Sequence, residues 1–182
     1  MDYDNFIKLV RARHSCRSYK TDEVPDELIS KCIEASRVSP SACNKQPWRF
    51  IIVKDKELRQ KICSEGVLPG VPMPWMKDAP VLVAICALTD LTVHKFASFL
   101  SKVDYRQIDI GIAGEHFVLA AQSLGLGSCW IGWFKEKKVK KILNIPWNVK
   151  VLSLFTLGYP SEIREQPKKL TLEKIYFREK WQ

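Results

Sequence analysis

A single domain in which helices and strands both contribute is the fold class this sequence predicts, and three stretches carry that reading. Residues 107 to 124 repeat apolar side chains (Ile110, Ala113, Phe117, Ala120, Ala121, Leu124) at intervals of three and four, the period of a helix. Val81 to Ala87 is an unbroken apolar run of strand length, which suits a central strand covered on both faces. Ser39 to Phe50 sets Pro40 and Pro47 among Ser41, Asn44, Lys45 and Gln46, between a helix-like and a strand-like segment. That loop holds more hydrogen-bonding groups than a turn needs, which suits a polar, planar ligand. An ordinary turn anchored by Trp48 is the other reading of the loop taken alone.

Composition narrows the function classes. With 182 residues, 46% apolar and 27% charged, the chain has globular composition and length for a real core, so one domain over residues 1–182 is expected. The start, Met-Asp-Tyr-Asp, predicts no secretory signal. Val81 to Leu88 is too short to span a bilayer, so a cytoplasmic protein without membrane association is expected. Cys16, Cys32, Cys43, Cys63, Cys86 and Cys129 show no Cys-x-x-Cys pair and no zinc-like spacing to the histidines; free, mostly buried thiols and no metal follow. Cys43, inside the Ser39 loop, is the one to watch for redox chemistry, though no resolving thiol lies near it in sequence. The net charge of +9 attracts phosphates, whether on nucleic acid, anionic lipid or a nucleotide cofactor. Much of the excess sits in Lys135 to Lys141, which reads as the solvated face of a short helix with Val139, Ile142 and Leu143 beneath.

The elements follow in order. Tyr3, Phe6 and Val10 recur at helical spacing, so residues 3 to about 12 form an amphipathic helix. Val24-Pro25-Asp26 starts a second helix, with Pro25 at its first position and Leu28, Ile29, Cys32 and Ile33 as its buried stripe. A strand over Arg49 to Val53 and a short helix over Lys56 to Ser64 come next. Residues 66 to 77 are loop by composition. On the long helix Ile108, Ile112, Val118 and Leu119 make further faces apolar, which suggests burial against a second subunit as well as the core. Asp109 and Glu115 on so apolar a helix should have partners. Val149 to Leu157 is the last strand, closing in Leu157-Gly-Tyr-Pro160.

Two further stretches carry chemistry. Arg13-His-Ser-Cys-Arg17 places two guanidinium groups four residues apart around a hydroxyl, an arrangement for a phosphate or the edge of a heteroaromatic ring. A basic helix end satisfying its own last carbonyls is the simpler reading of that segment. Gly125-Leu-Gly-Ser-Cys-Trp-Ile-Gly132 is not a dinucleotide fingerprint, because Trp130 stands where the third glycine belongs and the glycines follow a helix. They suit a helix end and close approach of the Trp130, Ile131 and Gly132 backbone to a flat ligand.

Taken together, Arg13 to Arg17, Pro40-Ser-Ala-Cys-Asn44 with Gln46-Pro-Trp48, Asp109, the glycine turn through Gly132, and Leu157 to Pro160 resemble the FMN-dependent nitroreductases almost end to end. Cys43 stands where that family usually has glycine. The resemblance implies a nitroreductase-like α+β fold: a mixed, mainly antiparallel sheet flanked by helices, dimeric through the long helix, with exchanged C-terminal tails. It implies FMN at the subunit interface, NADH or NADPH as electron donor, and a small electron-poor acceptor such as a nitroaromatic or quinone. Arg13, Ser15 and Arg17 would face the phosphate and pyrimidine side, with His14 beside them and Arg17 stabilising the reduced flavin. Pro40, Ser41, Ala42, Asn44 and Gln46 would belong to the same site, the loop arriving from the other chain. Trp130, Ile131 and Gly132 would approach N5 through backbone, and Lys168 or Lys169 would complete the phosphate site. No acid–base side chain is identified. A flavin carrier or sensor without turnover is the alternative, and a basic nucleic-acid-binding domain a third.

Overall fold

The computed structural model describes residues 2–89 and 102–181. Strand β1 spans Trp48–Val53, β2 Val81–Leu88, β3 Gly127–Ile131 and β4 Val149–Gly158. They form one sheet in the order β1-β2-β4-β3, every neighbouring pair antiparallel. The sheet is therefore antiparallel throughout rather than mixed, and one isolated parallel bridge, Ser15 to Ser128, lays the segment after the first helix along the β3 edge.

The apolar run of β2 follows from its place in the middle. Alternate side chains of a strand point to opposite faces. Val81, Val83, Ile85 and Ala87 enter one core with Phe117 and Phe155, while Leu82, Ala84 and Cys86 enter another with Ile62, Met76 and Val139. Both faces are covered, so no polar alternation survives. A bulge between Ile85 and Cys86 shifts the register against β4.

Helices α2 (Asp26–Arg37) and α4 (Tyr105–Ser123) cover the first face, and the turn Ile62–Gly66, which follows α3 (Lys56–Lys61), and α5 (Glu136–Ile142) flank the second. Asp55 caps α3 by accepting from the Leu58 N–H at 2.8 Å. Helix α1 (Tyr3–Ala12) is capped by Asp2 but buries no residue, and Tyr3 and Phe6 stay exposed. Ile108 on α4 is likewise 48% exposed.

Several expected boundaries move. Pro25 is the cap of α2, not its first residue: its extended backbone leaves its carbonyl to accept the first bonds, from the Leu28 and Ile29 N–H groups. The helix expected to reach Ser64 ends at Lys61 and widens into a π-type turn over Ile62–Gly66. Inside the expected loop, Pro74–Asp78 closes a 3-10 turn. Gly125 ends α4 with φ +76, the Leu126 N–H bonding Ala121 O and the Gly125 N–H bonding Gln122 O. Directly after it, β3 is a strand that the glycine spacing had not announced. Four of its five residues are buried, so it carries no period of two.

Among the described residues no helix is long and apolar enough to cross a membrane. None of their His, Cys, Asp or Glu side chains form a metal-holding group of three or more. All six cysteines are free, and Cys43 is the exposed one. Burial pushes the Cys32 thiol up to about 12 and that of Cys86 up to about 11.

Candidate functional site

Arg13 is the C-terminal cap of α1. Its N–H bonds Leu9 O, but its backbone is extended (ψ 122), and the chain leaves α1 at that point. The next residues run along β3, where the Cys16 N–H donates to Ser128 O at 2.9 Å. Tyr19 fixes the segment from below: its hydroxyl donates to Cys16 O at 2.7 Å and lies 2.6 Å from Thr156 Oγ1. Burial drives the phenol's pKa far up, so it stays a neutral donor.

This pinned segment forms one wall of a cavity of about 200 Å³. Arg13, His14, Ser15 and Arg17 line it from one side; Arg164, Glu165, Pro167 and Lys169 line it from the tail. Four cationic side chains and one carboxylate therefore line it, with Arg164 also paired to Glu162 at 2.8 Å. Lys169 joins this lining and Lys168 does not. The tail is held by Gln166, whose amide donates to Val10 O at 2.9 Å and also to Arg13 O. His14 is buried, with Nδ1 3.2 Å from Ala12 O, and its Nε2 has no hydrogen-bond partner. A concentration of cations beside an unpartnered buried imidazole nitrogen fits a phosphate.

Arg17 also lies over the ring of Trp75, its guanidinium carbon 5.9 Å from the centroid. It also acts on the Cys129 thiol. Burial raises that thiol's pKa, opposed by the Arg17 charge and by hydrogen bonds with Ser15 and Arg17.

The Ser39 loop is a separate structure in the protomer. Cys43, Asn44 and Gln46 have φ of 51, 52 and 48, the left-handed region that side chains disfavour. The conformation is held by specific bonds. Ser41 Oγ accepts from the Gln46 N–H at 2.9 Å, and the Gln46 amide donates to Asn44 O and Oδ1 at 3.2 and 3.1 Å. Asp109 is the anchor: buried on α4, its Oδ1 accepts from the Ala42 N–H at 3.0 Å. A second tie joins the Ser39 hydroxyl to His116 Nδ1 at 2.7 Å. Glu115, on the same helix, is exposed. Pro40 and Asn44 are exposed, and no residue of 40 to 46 lines the Arg13 cavity.

Asp109→Ala should cost about 1.5–3 kcal/mol, because a bond from a backbone N–H to a charged acceptor is lost in a part-buried place. Urea unfolding measures it, and proteolysis should then cut first within residues 39 to 47.

β3 turns the side chains of Trp130 and Ile131 inward or against neighbours. Ile131 is buried, and the Trp130 ring meets Phe155 edge-on at 4.4 Å. At this end of β3, Gly132 is exposed, with only its backbone to offer.

The residues that sequence reasoning missed are Trp75, His116, Arg164 and Gln166. Each acts across a long sequence separation, and none stands in a motif.

The nitroreductase family model matches residues 10–65 and 67–159. A candidate NADH dehydrogenase/NAD(P)H nitroreductase of Archaeoglobus fulgidus is 33% identical, over 96% of this chain and 98% of its own. The FMN reductase [NAD(P)H] of Bacillus subtilis is 32% identical, over 95% of this chain and 73% of its own. Among solved structures, B. megaterium NfrA2 superposes with a TM-score of 0.83 at 28% identity, covering 97% of this chain and 74% of that one. A Clostridium difficile nitroreductase family protein gives 0.82 at 26%, covering 100% of both chains. With its α+β fold and these relatives, the chain belongs to the nitroreductase family and is an oxidoreductase.

Proposed function

We propose that the protein is a homodimeric, FMN-dependent oxidoreductase that takes electrons from NADH or NADPH and reduces nitroaromatics, quinones or similar electron-poor acceptors. The observation that carries this reading is the cavity where Arg13, Arg17, Arg164 and Lys169 converge beside His14. Bound FMN would supply the hydride relay from NAD(P)H to the acceptor. Arg13 and Lys169 would hold its phosphate, with His14 Nε2 as a further donor. Arg17 would set a fixed positive charge at the pyrimidine end, where negative charge collects on reduction. Gly132 and the end of β3 would offer backbone to the ring edge without side-chain bulk.

The Ser39 loop completes the site from the partner subunit in this proposal. Its separation from the Arg13 cavity within one protomer supports that arrangement, as do apolar surfaces left uncovered: Phe6 on α1, Ile108 on α4, and Leu170, Leu172, Tyr176 and Trp181 in the tail. Exchange of the tails between subunits would cover the last four.

The purified protein should be yellow or take up FMN. Anaerobic NADH or NADPH should bleach the flavin absorbance, and a quinone or nitroarene should restore it. A protein that binds no FMN contradicts the proposal; bleaching that only oxygen reverses would make the protein a carrier or sensor.

A further inference from the structure

Beyond the Arg13 cavity, a larger one of about 640 Å³ lies between the π-type turn after α3, the loop of residues 67 to 74, and Lys135. Its volume is that of a site for a small organic ligand. Its walls are largely apolar, from Val67, Leu68, Val71, Pro72 and Met73. The charged residues in its lining are two lysines, Lys77 and Lys135.

The walls are preformed. Pro69, Pro72 and Pro74 restrict the loop backbone. The Lys135 N–H donates to Gly66 O at 2.6 Å, the Leu68 N–H to Trp133 O at 3.4 Å, and the Trp133 indole N–H to Pro69 O at 2.9 Å. Cys63 contributes a half-buried thiol whose pKa burial pushes up to about 11, so it lines the wall as a neutral, unreactive group.

Two residues assigned above to the cofactor are linked to the walls of this cavity. Trp133 directly follows Gly132, and the loop that walls the cavity continues into Trp75, which lies under Arg17.

We propose that this cavity binds aromatic anions, an apolar ring body within the walls and a carboxylate or sulfonate met by Lys77 and Lys135. Resting on the proposed function, it is where the body of the acceptor sits, so anionic aromatic acceptors are preferred to neutral ones of the same size. In the redox step two electrons and two protons, supplied by NAD(P)H and one solvent proton, convert a nitro group to a nitroso group and water. The anionic substituent takes no part in it.

Two readouts test this on the protein as purified. Calorimetry with 2-naphthoate should show binding that weakens about tenfold in the double variant K77E/K135E, the effect of reversing two surface charges next to an anion. Val71→Trp should abolish it, since Val71 lines the cavity and is half exposed, so a larger side chain there fills the cavity rather than the core. With NADH, kcat/KM for 4-nitrobenzoate should exceed that for 4-nitrobenzyl alcohol, and K77E/K135E should reverse the order. Naphthoate binding that ignores both variants, or equal rates for the two nitroarenes, would overturn the inference while leaving the oxidoreductase reading intact. Lysine-dependent naphthoate binding with neither nitroarene reduced would support the ligand class and count against the oxidoreductase reading.

Discussion

Arg13→Glu is expected to weaken FMN binding by roughly thirtyfold to several thousandfold, about 2–5 kcal/mol, the cost of replacing a desolvated charge contact with repulsion. The side chain lines a small cavity already holding three other cations, and its backbone is fixed by α1 and by Gln166. It therefore has little freedom to escape a phosphate placed there. Lys141→Glu makes the same charge change on the solvated face of α5 and should alter binding by no more than about 0.5 kcal/mol. Fluorescence titration of the cofactor-free protein with FMN gives both numbers. Equal losses at the two positions would move the phosphate to the basic helix.

Gly158→Val is expected to cost about 1–3 kcal/mol or more, as overpacking of a filled site does. A Cβ at position 158 would stand 2.6 Å from Pro80 Cδ and 2.9 Å from Tyr19 Cδ1. Neither neighbour yields easily: the proline ring is rigid, and Tyr19 is held through its hydroxyl to Cys16 O and Thr156. If Tyr19 moves, Cys16 loses its support, and with it the segment carrying Arg13 to Arg17. The variant should thus lose FMN affinity along with stability, although Gly158 touches neither the cavity nor its lining. Urea unfolding should show a lower midpoint with an unchanged slope. The melting temperature should fall about 2–4 °C for each kcal/mol.

Different parts of the molecule were legible in the sequence to different degrees, for physical reasons. β2 could be read directly because a strand covered on both faces is apolar at every position. The end of α4 could be read because the left-handed residue that closes it is Gly125. β3 could not: five largely buried residues between glycines show neither alternation nor length. The Arg13 segment was visible as chemistry but not as shape: Arg13 does end a helix, and that the residues after it lie along β3 follows only from the folded chain. Asp109 was recognised as needing a partner. That the partner is the Ala42 N–H, 67 residues away in sequence, is a fact of packing. Arg164 in the tail and Trp75 in the Pro74–Asp78 turn stand in no motif, and are brought to the cationic cavity and to Arg17 by the folded chain alone.

The central claim is that one flavin site is assembled from two chains, with Arg13 from one protomer and the Asn44 loop from its partner. Co-expression of two inactive variants tests it most directly. Arg13→Glu and Asn44→Trp each damage both sites of their own homodimers. In a mixed dimer the two lesions fall together in one site and leave the other whole. Half of randomly assembled dimers are mixed, so under two-fold symmetry about a quarter of the wild-type activity should return. No return of activity, with mixed dimers demonstrated through differently tagged chains, would contradict a shared site.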